Sequence, residues 1–398
     1  MAVSGIGASD IISATVGGAT FGTSLLWALV LGAFFKFVLT EGLARWQLAT
    51  GTTLLQGWAR YLPRWVLLLF FAYLVLWSIA VSAALISGCG LALANISAGR
   101  VPFTVGALAH VAGAFVLLRF ASADLLGWII KPLIAVMFVS VVGCAALSFR
   151  DFGALLTGLL VPAIPAGGSA YVFSLIGGIG GSLTLLNYNY LLREERRVDA
   201  RNLRGVRLDL AIAYVFTAVF GLSVMLIAAR VFHAAGVRIT DNEAVSRMAG
   251  QLAQVTGPAG FYVYSIGFWA AVLASLLGVW QIVPHIFVDC AQLLRPRAPV
   301  AAGEQARQER TVYLFALTFM AIAAVPFAFM NRPLFLVVAF TILGSFFIPF
   351  LAATLLHMNN RVPWNSAIGR NRLATNITLA FVLIVFAVVG AIEVRSLL

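Results

Sequence analysis

The run WVLLLFFAYLVLWSIAVSAALISGCGLAL, residues 65–93, carries no charged side chain. Wound as a helix at ~1.5 Å per residue it is about 43 Å long. That exceeds the ~30 Å hydrocarbon core of a bilayer. Lipid offers no partner to backbone N–H and C=O groups, so a lipid-exposed segment must satisfy them by its own helix or in a closed barrel. Similar apolar runs recur down the chain, and only 10% of its residues are charged, against about 25% in a soluble domain. The class that follows is an all-α polytopic membrane protein, one transmembrane domain over residues 1–398 with no sizeable soluble part.

Apolar runs between polar breaks predict about eleven transmembrane helices by the ~20-residue criterion. The expected spans are 8–22, 24–45, 65–93, 101–119, 125–148, 169–192, 207–231, 261–289, 311–330, 333–356 and 373–392. The net charge of +12 has no basic patch interleaved with aromatics behind it, so nucleic acid is excluded as a partner. It reads instead as topology. With the first helix running outward, Arg45, Arg60, Arg64 and the cluster Arg193, Arg196, Arg197, Arg201, Arg204 and Arg207 share one side. Only scattered arginines, such as Arg100, Arg150 and Arg238, lie opposite. The positive-inside rule then puts the N-terminus in the cytoplasm and the C-terminus outside, in the plasma (inner) membrane. Cys89, Cys144 and Cys290 form no CxxC pair and read as free membrane thiols. The opening residues lack a basic n-region, so no cleavable signal peptide is expected.

Two segments break the apolar pattern. GIGASDIISATVGG, residues 5–18, and SLIGGIGGSLTLLNYNYLLREERR, residues 174–197, place glycines and small polar residues inside apolar helices. They belong to the first and sixth spans. Five helices plus five, each half opening on an interrupted helix, is the pattern of an inverted-repeat transporter. Repeat one then covers about 1–150, repeat two about 165–358, and an extra helix about 373–392. Asp10 sits in the first of these segments. A charge at mid-membrane costs at least ~2.5 kcal/mol and is a functional residue by default; it is also well placed to cap the helix that follows.

The runs GGATFGTSLLW (17–27), ARWQLATG (44–51) and PRW (63–65) resemble the Nramp divalent metal transporters, which have a LeuT-like fold. The similar order of helices extends over essentially the whole chain. In that family the first broken helix carries Asp-Pro-Gly-Asn and the sixth Ala-x-x-Met-Pro-His, and the Asp, the Asn, the Ala carbonyl and the Met sulfur hold the metal. Those positions correspond here to Gly7, Ala8, Ser9 and Asp10, and to Gly178 for Ala and Gly181 for Met, with Ser182 and Leu183 near the Pro and His. The first carboxylate is lost and another gained at the asparagine position; the thioether is absent. The resemblance therefore implies a divergent branch, with metal held by Asp10, Ser9 and the backbone at Gly7, Gly178 and Gly181. Only six residues precede Gly7, where the family has a half-helix, so the natural start is expected upstream.

These departures have chemical content. A thioether is soft and favours transition metals; carboxylate, hydroxyl and carbonyl oxygens suit harder ions. Mg²⁺ keeps several waters and needs only one or two carboxylates, so Mg²⁺ and Mn²⁺ are the expected cargo, with no separate cofactor. The family couples transport to protons through acids in the third helix and a histidine in the sixth. Residues 65–93 contain neither acid nor histidine, with Ser82 and Leu85 at the positions expected for acids, so coupling is expected to be weak or absent.

Other residues line the expected pathway. Ser182, Thr184 and Asn187 follow the break in the sixth helix. Gln281, His285 and Asp289 are spaced four apart, hence on one face of the eighth helix, as an inner vestibule or an interfacial stripe. Glu41 is placed to pair with Arg45 at i,i+4, and Lys36 reads as a snorkelling residue or the partner of an acid on another helix. The function implied is a monomeric secondary carrier working by alternating access, its partners the divalent ion and the lipid bilayer. No nucleophile elbow, HExxH or P-loop points to an enzyme. The rival is a carrier of a small organic solute, such as an amino acid, on the same scaffold, against which stands the repulsion of an anion by Asp10.

Overall fold

A computed structural model describes residues 8–148, 151–194, 202–234, 236, 246–250, 253, 257–295, 302–361 and 368–397. Every regular element among them is helical. The helices are α1 (Ala8–Phe21), α2 (Leu26–Thr50), α3 (Leu54–Tyr61), α4 (Arg64–Ile96), α5 (Phe103–Phe120), α6 (Ala123–Ser148), α7 (Phe152–Leu160), α8 (Ser169–Gly178), α9 (Asn187–Glu194), α10 (Leu203–Ala228), α11 (Pro258–Leu294), α12 (Ala302–Ala324), α13 (Pro333–Ser345), α14 (Phe347–Arg361) and α15 (Leu373–Leu397). Ten stretches of the described residues are long and apolar enough to cross a membrane, and each coincides with an expected span. The expected first span corresponds to α1, whose 14 residues make about 21 Å.

The membrane-facing surface follows from the solvent. Trp128, Phe120, Val139 and Phe315 are each more than two-thirds exposed. Apolar surface on this scale marks contact with lipid. The buried centre is built from α1, α2, α8 and α10, with α13 closing one side. A second packing unit sets α11 against α4 and α6.

Two features depart from the expected spans. The short helices α3 and α7 lie between spans, each started by a side-chain cap: Thr53 and Gln56 form a reciprocal capping box, and Asp151 accepts from the Ala154 N–H. The tenth span is not one helix but two, α13 and α14, parted at Phe346. Its cause is local. Pro349 has no N–H to give the Ser345 carbonyl, and the Ser345 hydroxyl bonds back to the Thr341 carbonyl at 2.7 Å, a contact that bends helices. The sixth span is interrupted as expected: α8 stops at Gly178, and a 3-10 turn over Leu183–Leu186 precedes α9.

Candidate functional site

The break in the sixth span is made by glycine. Gly180 and Gly181 sit at φ 67° and 76°, the left-handed region where a Cβ is strained. A Cβ on Gly180 would also lie 3.3 Å from Thr217 and Tyr214 on α10. The turn from Ile179 to Ser182 leaves the carbonyls of Gly177, Ile179 and Gly181 outside any helical ladder, and such groups persist at membrane depth only with a partner. α2 supplies it. Gly32 lets α2 approach so closely that a Cβ there would stand 2.7 Å from Ile179. One turn further on the same face is Lys36.

Lys36 is fully buried. Its Nζ donates to the carbonyl oxygens of Gly177 and Ile179 at 2.9 Å each, and to that of Gly181. An ammonium has three N–H donors, and the broken helix accepts from all of them. Asp10 lies beside this cluster: its Oδ1 accepts from the Gly180 N–H at 2.6 Å. Of the two expectations for Lys36, snorkelling is corrected, and the acid on another helix that lies beside it is Asp10 of α1. Lys36 points into the centre of the molecule, where the exposed carbonyls stabilise its charge.

The expected ligand set is only partly assembled in view. Gly7 lies outside the described residues, as does the side chain of Ser9, whose backbone is in the first turn of α1. The Gly178 carbonyl accepts from the Gly181 N–H at 3.2 Å; the Gly181 carbonyl faces Lys36. Ser182 is buried and accepts from Trp77 Nε1 at 3.1 Å. Thr184 Oγ1 and Asn187 Oδ1 are buried without a hydrogen-bond partner among the described residues. Three positions apart, they share one face just past the break. Orphaned buried oxygens are rare in folded proteins, and these two mark a place where water or a solute is wanted.

Gln281, His285 and Asp289 form a different group around Tyr190 of α9. Asp289 Oδ2 accepts from Tyr190 Oη at 2.9 Å and Thr53 Oγ1 at 3.3 Å. The exposed His285 ring stacks on Tyr190 and meets Tyr313 with centroids 4.8 Å apart; Tyr313 donates to the Gln281 carbonyl. Among the described residues no three His, Cys, Asp or Glu side chains converge to hold a metal. In α4, Ser82 accepts from Trp280 Nε1 at 3.0 Å. A further polar link has only single hydroxyls as its signal in the sequence: Ser13 and Thr341 flank Ser174, at 3.3 and 2.8 Å, tying α1, α8 and α13 together. Gly178 keeps that junction tight, since its Cβ would lie 3.2 Å from Thr341.

Known proteins show the same architecture. The model of the natural resistance-associated macrophage protein-like family, Nramp, matches residues 1–397. A divalent metal cation transporter MntH of Chromohalobacter salexigens is 27% identical over 293 residues, 68% of this chain and 65% of that protein. Another MntH, of Xanthomonas campestris pv. campestris, is 28% identical over 271 residues, 65% of this chain and 59% of that protein. This chain thus matches less than two thirds of either relative's length. Among solved structures, an Eremococcus coleocola manganese transporter with an aromatic bis-isothiourea substituted compound superposes with TM-score 0.74 at 16% identity, covering 99% of this chain and 84% of that one. MhsT with L-phenylalanine gives 0.65 at 12% identity, covering 98% and 96%. The fold is LeuT-like, and the match along almost the entire sequence settles the family: this chain belongs to the Nramp family.

Proposed function

We propose that the chain is a membrane carrier, not an enzyme, that moves a divalent cation across the plasma membrane by alternating access. One observation carries this reading. The break in the sixth span, with Asp10 against it, already holds the amine of Lys36 on three backbone oxygens. Oxygens and one carboxylate, without a thioether, suit a hard ion, so Mg²⁺ or Mn²⁺ is the cargo. Asp10 and Ser9, with the backbone at Gly7, Gly178 and Gly181, supply the oxygens; Ser182, Thr184 and Asn187 line the way past the break. Gln281, His285 and Asp289 belong to the cytoplasmic vestibule. With no acid or histidine on α4, proton coupling is weak or absent. The carrier works as a monomer, N-terminus inside and C-terminus outside, built of two inverted repeats, about 1–150 and 165–358, and an extra helix.

Uptake of Mn²⁺ and Mg²⁺ into proteoliposomes tests this. Asp10→Ala is expected to cut uptake at least tenfold, since it removes the carboxylate that faces the break. Uptake that ignores this substitution, or its absence in the unsubstituted protein, overturns the reading.

A second reading has an observation in its favour. Lys36 offsets the charge of Asp10, which removes the repulsion that stood against an organic solute bearing a carboxylate. Amino-acid uptake that needs no metal distinguishes it.

A further inference from the structure

Lys36 occupies the turn that the cation would use: it takes the Gly181 carbonyl, one of the proposed ligands, together with the neighbouring carbonyls of Gly177 and Ile179. Asp10 holds the Gly180 N–H between two of these carbonyls. With Lys36 in place the exposed carbonyls are satisfied. A divalent ion added to the cluster would meet a like charge at a buried position, where charges are screened less than at the surface. Mg²⁺ demands oxygens at about 2.0–2.1 Å in near-octahedral array, which the same carbonyls cannot offer while bound to Nζ.

We propose that Lys36 is a tethered substitute for the transported ion. It fills the site when the ion is absent, and the ion binds only by displacing its ammonium from the three carbonyls. This rests on the carrier reading above and adds its regulation. The side chain suits the task. A lysine ends in a compact charge on a flexible four-carbon stem, with three rotatable donors, so it can leave and return without rearranging a helix. The benefit is to the ion-free carrier. An empty break would leave three buried carbonyls without a donor, and Lys36 spares it that. The carrier can then return across the membrane without cargo.

The proposal makes affinity and turnover move in opposite directions. Lys36→Met keeps the length and removes the charge, and Lys36→Gln keeps a donor for the carbonyls without it. Full-length protein in detergent is titrated with Mn²⁺ and Mg²⁺ by calorimetry, and its uptake is followed in proteoliposomes; a thermal melt reports whether each variant is folded. Both variants are expected to bind Mn²⁺ at least tenfold more tightly, while the maximal uptake rate falls because the empty site no longer has its own cation. Binding that is unchanged or weaker in both folded variants, beside a protein that binds Mn²⁺ normally, overturns the substitution and leaves the carrier reading standing. If the unsubstituted protein binds neither ion but Lys36→Met does, Lys36 fills the site without being displaced, and both the exchange and the carrier reading fall. If neither protein binds, both fall.

Discussion

Helix α2 carries two buried cations nine residues apart, about 13.5 Å along the axis, and they are held in opposite ways. Lys36 gives all three donors to backbone oxygens of a broken helix. Arg45 is locked in a side-chain network: Nε to Glu41 Oε2 at 2.7 Å, Nη1 to the carbonyls of Gly369 and Arg370 at 3.3 and 2.9 Å, and Nη2 to Asn371 Oδ1 at 2.7 Å. Glu41 is tied in turn to Arg207 of α10 through its other oxygen. A guanidinium is a rigid planar fork that fits several fixed acceptors at once; an ammonium is a mobile point charge. One end of α2 is therefore fastened to α10 and to the chain ahead of α15, while the other holds a charge that can be exchanged. In this comparison the type of cation distinguishes a joint from a site.

The largest test of that distinction is Arg45→Ala. It leaves Glu41 with one partner and removes the donor from two carbonyls and Asn371. Breaking a buried pair from one side costs about 3–5 kcal/mol. Chemical unfolding in detergent should show a loss of that size. A loss under ~1 kcal/mol would mean the network is no joint, and the contrast with Lys36 would disappear.

A sharper test uses one backbone conformation in two places. Gly180, at the break, and Gly51, the C-cap of α2, both have φ near 68°. Replacing either by alanine forces a left-handed residue, at roughly 1–2 kcal/mol. A Cβ on Gly51 meets nothing within 4 Å, whereas one on Gly180 meets Thr217 and Tyr214 at 3.3 Å. Both variants should lose similar stability, but only Gly180→Ala should weaken Mn²⁺ binding, by about tenfold, because it moves the carbonyls around Lys36. Equal binding in the two would show that the turn does not set the site.

What was legible in the chain divides along the same line. Span positions could be read because lipid imposes length and apolarity on every crossing. The break in the sixth span could be read because paired glycines inside an apolar helix have few other uses, and Glu41–Arg45 because i,i+4 neighbours on a helix must meet. Lys36 could be read only in part: an acid on another helix was expected but the carbonyls were not, and the reason is physical. Its partners are carbonyls, which every residue has, and they accept only because the facing helix is broken there. Spacing along α2 says which face Lys36 is on, not what that face meets. The link from Ser13 through Ser174 to Thr341 was hidden likewise, since a single hydroxyl in an apolar run has the same spelling whether it bonds its own helix or a neighbour. The parting at Phe346 needed both Pro349 and the back-bonding Ser345 to be seen together.

The smallest expected effect belongs to Arg207→Ala, and it examines how far the joint extends. The Arg207 side chain is 35% exposed, that of Glu41 8%, so water and salt screen much of their attraction. Pairs of this kind contribute about 0.2–1 kcal/mol. Glu41 also keeps Arg45 at 2.7 Å when Arg207 is gone, so no carboxylate is left buried and alone. The loss should shrink as salt is raised, whereas that from Arg45→Ala, at a side chain 3% exposed, should hardly change. A double substitution with Glu41→Gln gives the coupling directly. Should Arg207→Ala cost as much as Arg45→Ala, the three charges act as one unit reaching to α10, and the fastened end of α2 is anchored from both sides rather than by Arg45 alone.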